Sequence, residues 1–159
     1  MRIRLLLVVL ILSQLSACGF QLRGSNQIAG RFNPLYVESG QLQSTQLTLI
    51  RKELIKASAT LSGSQDGSNH LRVEFSPLKS RKIASSNLTD VELVQLTMGI
   101  RFSVQSESGH YLLELRELVQ KVEIELDNAN VLGQEQVISR ASLGIQRVLV
   151  RSMMSQLSR

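Results

Sequence analysis

Leu96-Thr97-Met98-Gly99-Ile100-Arg101-Phe102-Ser103-Val104 alternates apolar side chains with polar, charged or minimal ones without a break. That is the period-two pattern of a strand with one buried face. Gln105 to Gly109 reads as a hairpin turn, and a return strand follows from about Tyr111 to Leu126. Val122, Ile124 and Leu126 are expected inward, and Lys121, Glu123 and Glu125 outward. Two breaks of phase stand out. Leu93 is out of step with Leu96, which suggests a β-bulge near Val94–Gln95, and Leu113 and Leu115 suggest a bend in the return strand. Upstream, Leu71, Val73 and Phe75 alternate with Arg72, Glu74 and Ser76. Pro77 would cost that strand a ladder hydrogen bond, which predicts a strand end or a sheet edge.

Two helical patterns flank this block. Leu47, Ile50, Leu54, Ala57 and Leu61 recur at spacings of three and four, with Ser44 a fair N-cap candidate. Before them, Pro34 introduces a short strand, Leu35-Tyr36-Val37-Glu38. The last helix is predicted over roughly Gln134 to Leu157. Its main apolar stripe is Ile138, Ala141, Ile145, Val148 and Leu149. Leu143, Val150, Met154 and Leu157 form a second apolar sector, and Arg140, Arg147 and Arg151 form a basic line. Two readings of the second sector stand: a broad core-facing stripe, or a face kept for a partner. On the partner reading, Arg140, Leu143, Arg147, Val150, Arg151 and Met154 are the candidate contact residues.

The predicted order is β-α-β-β-β-α. It implies an α+β fold, a two-layer sandwich of two helices on one face of a four-stranded mixed sheet. The β-α-β step makes the first strand parallel to a neighbour. Leu54, Val73, Ile100, Ile124 and Ile145, one per major element, are the expected centres of the core.

The N-terminus carries a different signal. Met1-Arg2-Ile3-Arg4 is positive, Leu5 to Leu12 is unbroken apolar sequence, and Leu15-Ser16-Ala17 leads to Cys18, the one cysteine of the chain. The apolar run is about half the ~20 residues needed to span a bilayer. Leu, two small residues and Cys form a bacterial lipobox, in which the thiol takes up a diacylglycerol before cleavage. Residues 1–17 are therefore expected to be a cleaved lipoprotein signal, 18–33 a lipidated N-terminus and tether, and 34–159 a single domain. Cleavage removes Arg2 and Arg4 and lowers the net charge from +5 to +3. With Cys18 lipidated, no disulfide forms within the chain. Gly19 stands where an Asp would favour inner-membrane retention, so the expected location is the outer membrane. The domain would lie on its periplasmic side or, as the resemblance given next implies, within a barrel lumen.

Cys18-Gly19-Phe20-Gln21-Leu22-Arg23-Gly24 resembles the mature start of the LPS-assembly lipoprotein LptE (RlpB) family, whose members begin Cys-Gly-aromatic-x-Leu-Arg. Element order and length agree along the whole chain, and Asp127-Asn128 before the last helix is a second match. The resemblance implies a palmitate-bearing outer-membrane lipoprotein of Gram-negative bacteria. Such a protein plugs and helps assemble the LptD β-barrel and assists lipopolysaccharide transport to the surface. In the family a basic residue near the second strand connection and another before the last helix are implicated in lipopolysaccharide binding. Arg81 or Lys82, in Lys79-Ser80-Arg81-Lys82, would fill the first role. The second is unmatched, because Asp127 to Gln136 contains no Lys or Arg. The competing reading of this cluster, placed at a strand end and loop, is a solvated group that discourages edge pairing.

Catalytic chemistry is not indicated. His70 and His110 are not spaced with Cys, Asp or Glu as metal ligands, and no nucleophile elbow, phosphate loop or dinucleotide pattern is present. No cofactor is expected. An aromatic content of 4% without Trp argues against nucleic-acid binding. The alternatives to a barrel partner are an auxiliary lipoprotein binding module of another envelope lipid-transport system and an anchored periplasmic enzyme acting on envelope polymers. The sequence offers no constellation for the enzyme.

Overall fold

The computed structural model describes residues 28–85, 91–127 and 129–159. Its elements are β1 (Leu35–Glu38), α1 (Ser44–Lys56), β2 (Asn69–Phe75), β3 (Lys79–Ser85), β4 (Val91–Gln105), β5 (Tyr111–Asp127) and α2 (Val131–Leu157). The fold is α+β, two helices with a mixed sheet of five strands. β4 organises it. One flank of β4 pairs antiparallel with β5 from Val91↔Asp127 to Gln105↔Tyr111. Its other flank is shared end to end by β2, opposite Ile100 to Gln105, and β3, opposite Glu92 to Thr97. β1 adds parallel to β2, as the β-α-β step requires.

The fifth strand is a correction to the sequence reading. Pro77 does end β2, but the chain resumes pairing two residues later, so Lys79 to Ser85 is strand rather than loop. All seven residues of β3 are exposed. A strand covered on neither face has no apolar alternation to betray it. At the joint, Gly99 Cα lies so close to its neighbours that a Cβ would sit 3.2 Å from the Leu118 carbonyl oxygen. The Gly99 N–H donates to Ser76 Oγ at 2.7 Å and its carbonyl accepts from Ser76 N at 3.0 Å, which carries the ladder across the gap.

The bulge lies across the ladder from its expected place. β4 pairs with β5 unbroken through Val94 and Gln95, whereas β3 shifts register between Lys82 and Ala84 and leaves Ile83 extra. Leu93 occupies the opposite face of β4. The bend of β5 is real: Glu114 and Leu115 together oppose Ser103, between the pairs Phe102↔Arg116 and Val104↔Leu113.

The helices cover one face. Leu54, Val73, Ile100 and Ile145 are buried as expected, and Ile124 is half-buried against the same cluster. The domain also reaches further towards the N-terminus than Pro34. Ile28 and Phe32 lie in the core, Ile28 N–H donates to the Ala57 carbonyl at 3.0 Å, and Ala29 N–H donates to the Leu157 carbonyl at 3.1 Å. Residues 28–33 therefore belong to the fold rather than to a tether, and the chain enters it at the C-terminal ends of both helices. The cap of α1 is Gln43, in a reciprocal box with Gln46, and Ser44 is the first helical residue. Asn130 Oδ1 caps α2 by accepting from Gly133 N–H at 2.9 Å, which starts that helix three residues before Gln134.

Candidate functional site

The sheet face away from the helices carries charge in rungs. Directly opposed residues share a face. One rung holds Glu38, Arg72 and Ser103, and the next holds Glu74, Arg101 and Glu117. Arg72 Nε donates to Glu38 Oε2 at 2.8 Å, and Arg101 Nη2 donates to Glu74 Oε1 at 2.8 Å. His70 stands 3.5 Å from Glu38 and tilts against Tyr36. The Arg72 hydrogen bond holds the Glu38 carboxyl below its ordinary range, against the opposing effect of burial. A depressed carboxylate contributes stability above its unfolded pKa and loses it as pH falls through the folded value. Glu38→Gln should thus flatten the acid limb of the stability curve, by no more than about 1 kcal/mol for so exposed a pair. Urea titrations at neutral and acid pH measure this, and an unchanged acid limb would contradict it.

The basic cluster is divided by the strand that carries it. Neighbouring residues of a strand point to opposite faces, so Arg81 and Lys82 are not brought together. Arg81 stands on the outer face, on a rung with Gln95 and Glu123. Lys79 stands one rung away, with Thr97 and Lys121. Lys82 opposes Val94 on the helix side and is ion-paired with Glu92. The outer-face group is therefore Lys79, Arg81 and Lys121. The i, i+2 spacing of Lys79 and Arg81 was the available signal. Lys121 joins them only through the long-range pairing of β4 with β5.

The candidate partner face of α2 is also corrected. Val150 is 0% exposed and Met154 4%, so both belong to the core, and Leu157 is fully buried with them. Leu143 is 45% exposed. The two apolar sectors merge because Met153, left out of both, lies between them and is buried. The C-terminal half of α2 packs against the sheet on one side and α1 on the other, so two covering surfaces use two sectors. Val148, assigned to the sheet-facing stripe, is instead 43% exposed. What stays open is the first half of the helix, where Leu132, Glu135, Gln136, Ser139, Arg140 and Leu143 line one shallow surface. Arg147 and Arg151 face α1 across a groove with Lys52 and Lys56.

His70 and His110 stand apart, and among the described residues no group of three or more His, Cys, Asp or Glu could hold a metal ion. Nor is any helix there long and apolar enough to cross a membrane. Cys18 and the motif that follows it lie outside the described residues.

The geometry defines a class: a small domain with helices on one face of a mixed sheet and a charged opposite face. Several solved structures of lipoproteins share this fold. A minor lipoprotein from Acinetobacter baumannii superposes with a TM-score of 0.63 at 20% identity, over 80% of this chain and 91% of that one. Lipoprotein B from Nitrosomonas europaea gives 0.68 at 17% identity, over 88% and 90%. The rare lipoprotein B of Shewanella oneidensis gives 0.52 at 14%, over 79% and 86%. Identities this low establish a shared fold. No protein-family model matches the chain, and no curated protein does.

Proposed function

We propose that this chain is a non-enzymatic outer-membrane lipoprotein, anchored through Cys18. In this reading it plugs and helps assemble an LptD-like β-barrel and assists lipopolysaccharide delivery to the cell surface. The observation that carries the reading is a pairing. A lipobox running directly into Gly19-Phe20-Gln21-Leu22-Arg23-Gly24 sits on a chain that shares the fold of lipoproteins of the B type. The surfaces suit such a role. A barrel lumen is polar and accepts charge, as the rungs of the outer sheet face require, and the open half of α2 offers Leu132, Arg140 and Leu143 to a partner. Depleting the chain from its host should stop newly made lipopolysaccharide from reaching the surface. Normal surface display in depleted cells would contradict the proposal.

Lipopolysaccharide phosphates would meet Lys79, Arg81 and Lys121, which share the outer face, rather than Lys82, which has Glu92. Exposed charge contacts are worth about 0–1 kcal/mol each. Lys79→Glu with Arg81→Glu should therefore weaken lipopolysaccharide binding severalfold, up to about thirtyfold, in a folded domain, and Lys82→Glu should change it little. Equal effects from both variants would show that the face does not matter.

A further inference from the structure

We infer that the groove between α1 and α2 docks on the phosphates of anionic phospholipids in the leaflet that holds the Cys18 anchor. The inference rests on the lipid anchor of that reading, and it requires the C-terminal ends of both helices to stand at the periplasmic mouth of the barrel, clear of its lumen.

Lys52 and Lys56 are four apart on α1, and Arg147 and Arg151 are four apart on α2, so each pair lies on one helix face. The packing of the helices brings the two faces together along a groove of about 280 Å³, with Leu49 in its wall. Its lining among the described residues holds four cations and one carboxylate, Glu53, which is engaged by Lys56 at 2.7 Å. Lys52, Arg147 and Arg151 have no ion-pair partner among the described residues. Facing like charges repel, so the arrangement favours an anion from outside, and the arginine fork suits phosphate oxygens. Interaction with a helix dipole accounts for Lys56, in the last turn of α1, but not for the two arginines. That effect fades within the last turn, and Arg151 lies six residues from the end of α2, with Arg147 a further turn back.

A second observation places a leaflet within reach. The backbone bonds from Ile28 to Ala57 and from Ala29 to Leu157 fix the entry of the chain at the C-terminal ends of both helices. Lys56 is the last residue of α1 at that same end. Ile28 lies ten positions after Cys18, a span of at most about 35 Å when fully extended. A lipid on Cys18 therefore leaves the end of the groove at Lys56 within reach of headgroups.

The test uses the full mature lipidated chain in nanodiscs of phosphatidylcholine alone or with one third phosphatidylglycerol. Amine-reactive labelling is read residue by residue by mass spectrometry. Each surface charge adds about fivefold to binding of an anionic membrane, so Lys52 and Lys56 should lose reactivity at least fivefold in the anionic discs while Lys79 does not. Arg147→Glu with Arg151→Glu should abolish the difference, and the milder Arg147→Gln with Arg151→Gln should reduce it. Equal labelling in the two discs would overturn the proposal. Protection by inorganic phosphate in neutral discs, without protection by phosphatidylglycerol, would overturn the lipid source and assign the groove to a soluble anion. Absence of acyl mass on the Cys18 peptide would overturn the anchor itself, an outcome separately visible in the same spectra.

Discussion

Val150→Asp is expected to unfold the domain, while Leu143→Asp leaves it folded. Val150 is fully buried between the helices and the sheet, in a cluster with Leu149, Met153 and Met154. The substitution removes that apolar burial and places a carboxylate where nothing pairs with it. Each effect costs several kcal/mol, and a domain of this size has about 5–15 kcal/mol in total. A loss beyond about 4 kcal/mol is therefore expected. Leu143, at 45% exposure, can turn its replacement to water, and surface substitutions of that kind stay within about 0.5 kcal/mol. Thermal denaturation followed by circular dichroism separates the two. A cooperative transition near the parent midpoint for Val150→Asp would show that the last helix is packed with a different face inward.

Cys18→Ala is expected to abolish lipidation outright, because the thiol is the only acceptor. The precursor should accumulate or leave the membrane fraction. Radioactive palmitate incorporation decides the matter. Label entering the Cys18→Ala protein would refute the lipobox reading.

The parts of the fold legible in the sequence were those with one wet face and one dry one. β4 and the second half of β5 alternate because helices cover one side and water the other, so Ile100 and Val73 were readable as core. β3 was not legible, since Lys79 to Ser85 is wet on both faces and its strand character comes entirely from pairing with Glu92 to Thr97. The last helix misled for the opposite reason. It is dry on two sides over its second half, and a single-face expectation turned its core residues Val150 and Met154 into a partner surface. Ile28 and Phe32 escaped notice because isolated apolar residues among glycines show no period, although tertiary packing buries both. The candidate phosphate group was half legible. Lys79 and Arg81 are visible as neighbours on one strand face, but Lys121 arrives from forty residues away through the sheet.

The central claim, a plug and assembly factor for an outer-membrane barrel, is tested most directly by what accompanies the lipidated chain out of the membrane. Outer membranes solubilised in mild detergent and captured through a C-terminal tag on this chain should yield one large β-barrel protein in equimolar amount. The barrel should remain through size-exclusion chromatography and be lost from membranes when the chain is depleted. Recovery of the chain alone from an intact outer membrane, with barrel levels unchanged on depletion, would contradict the account.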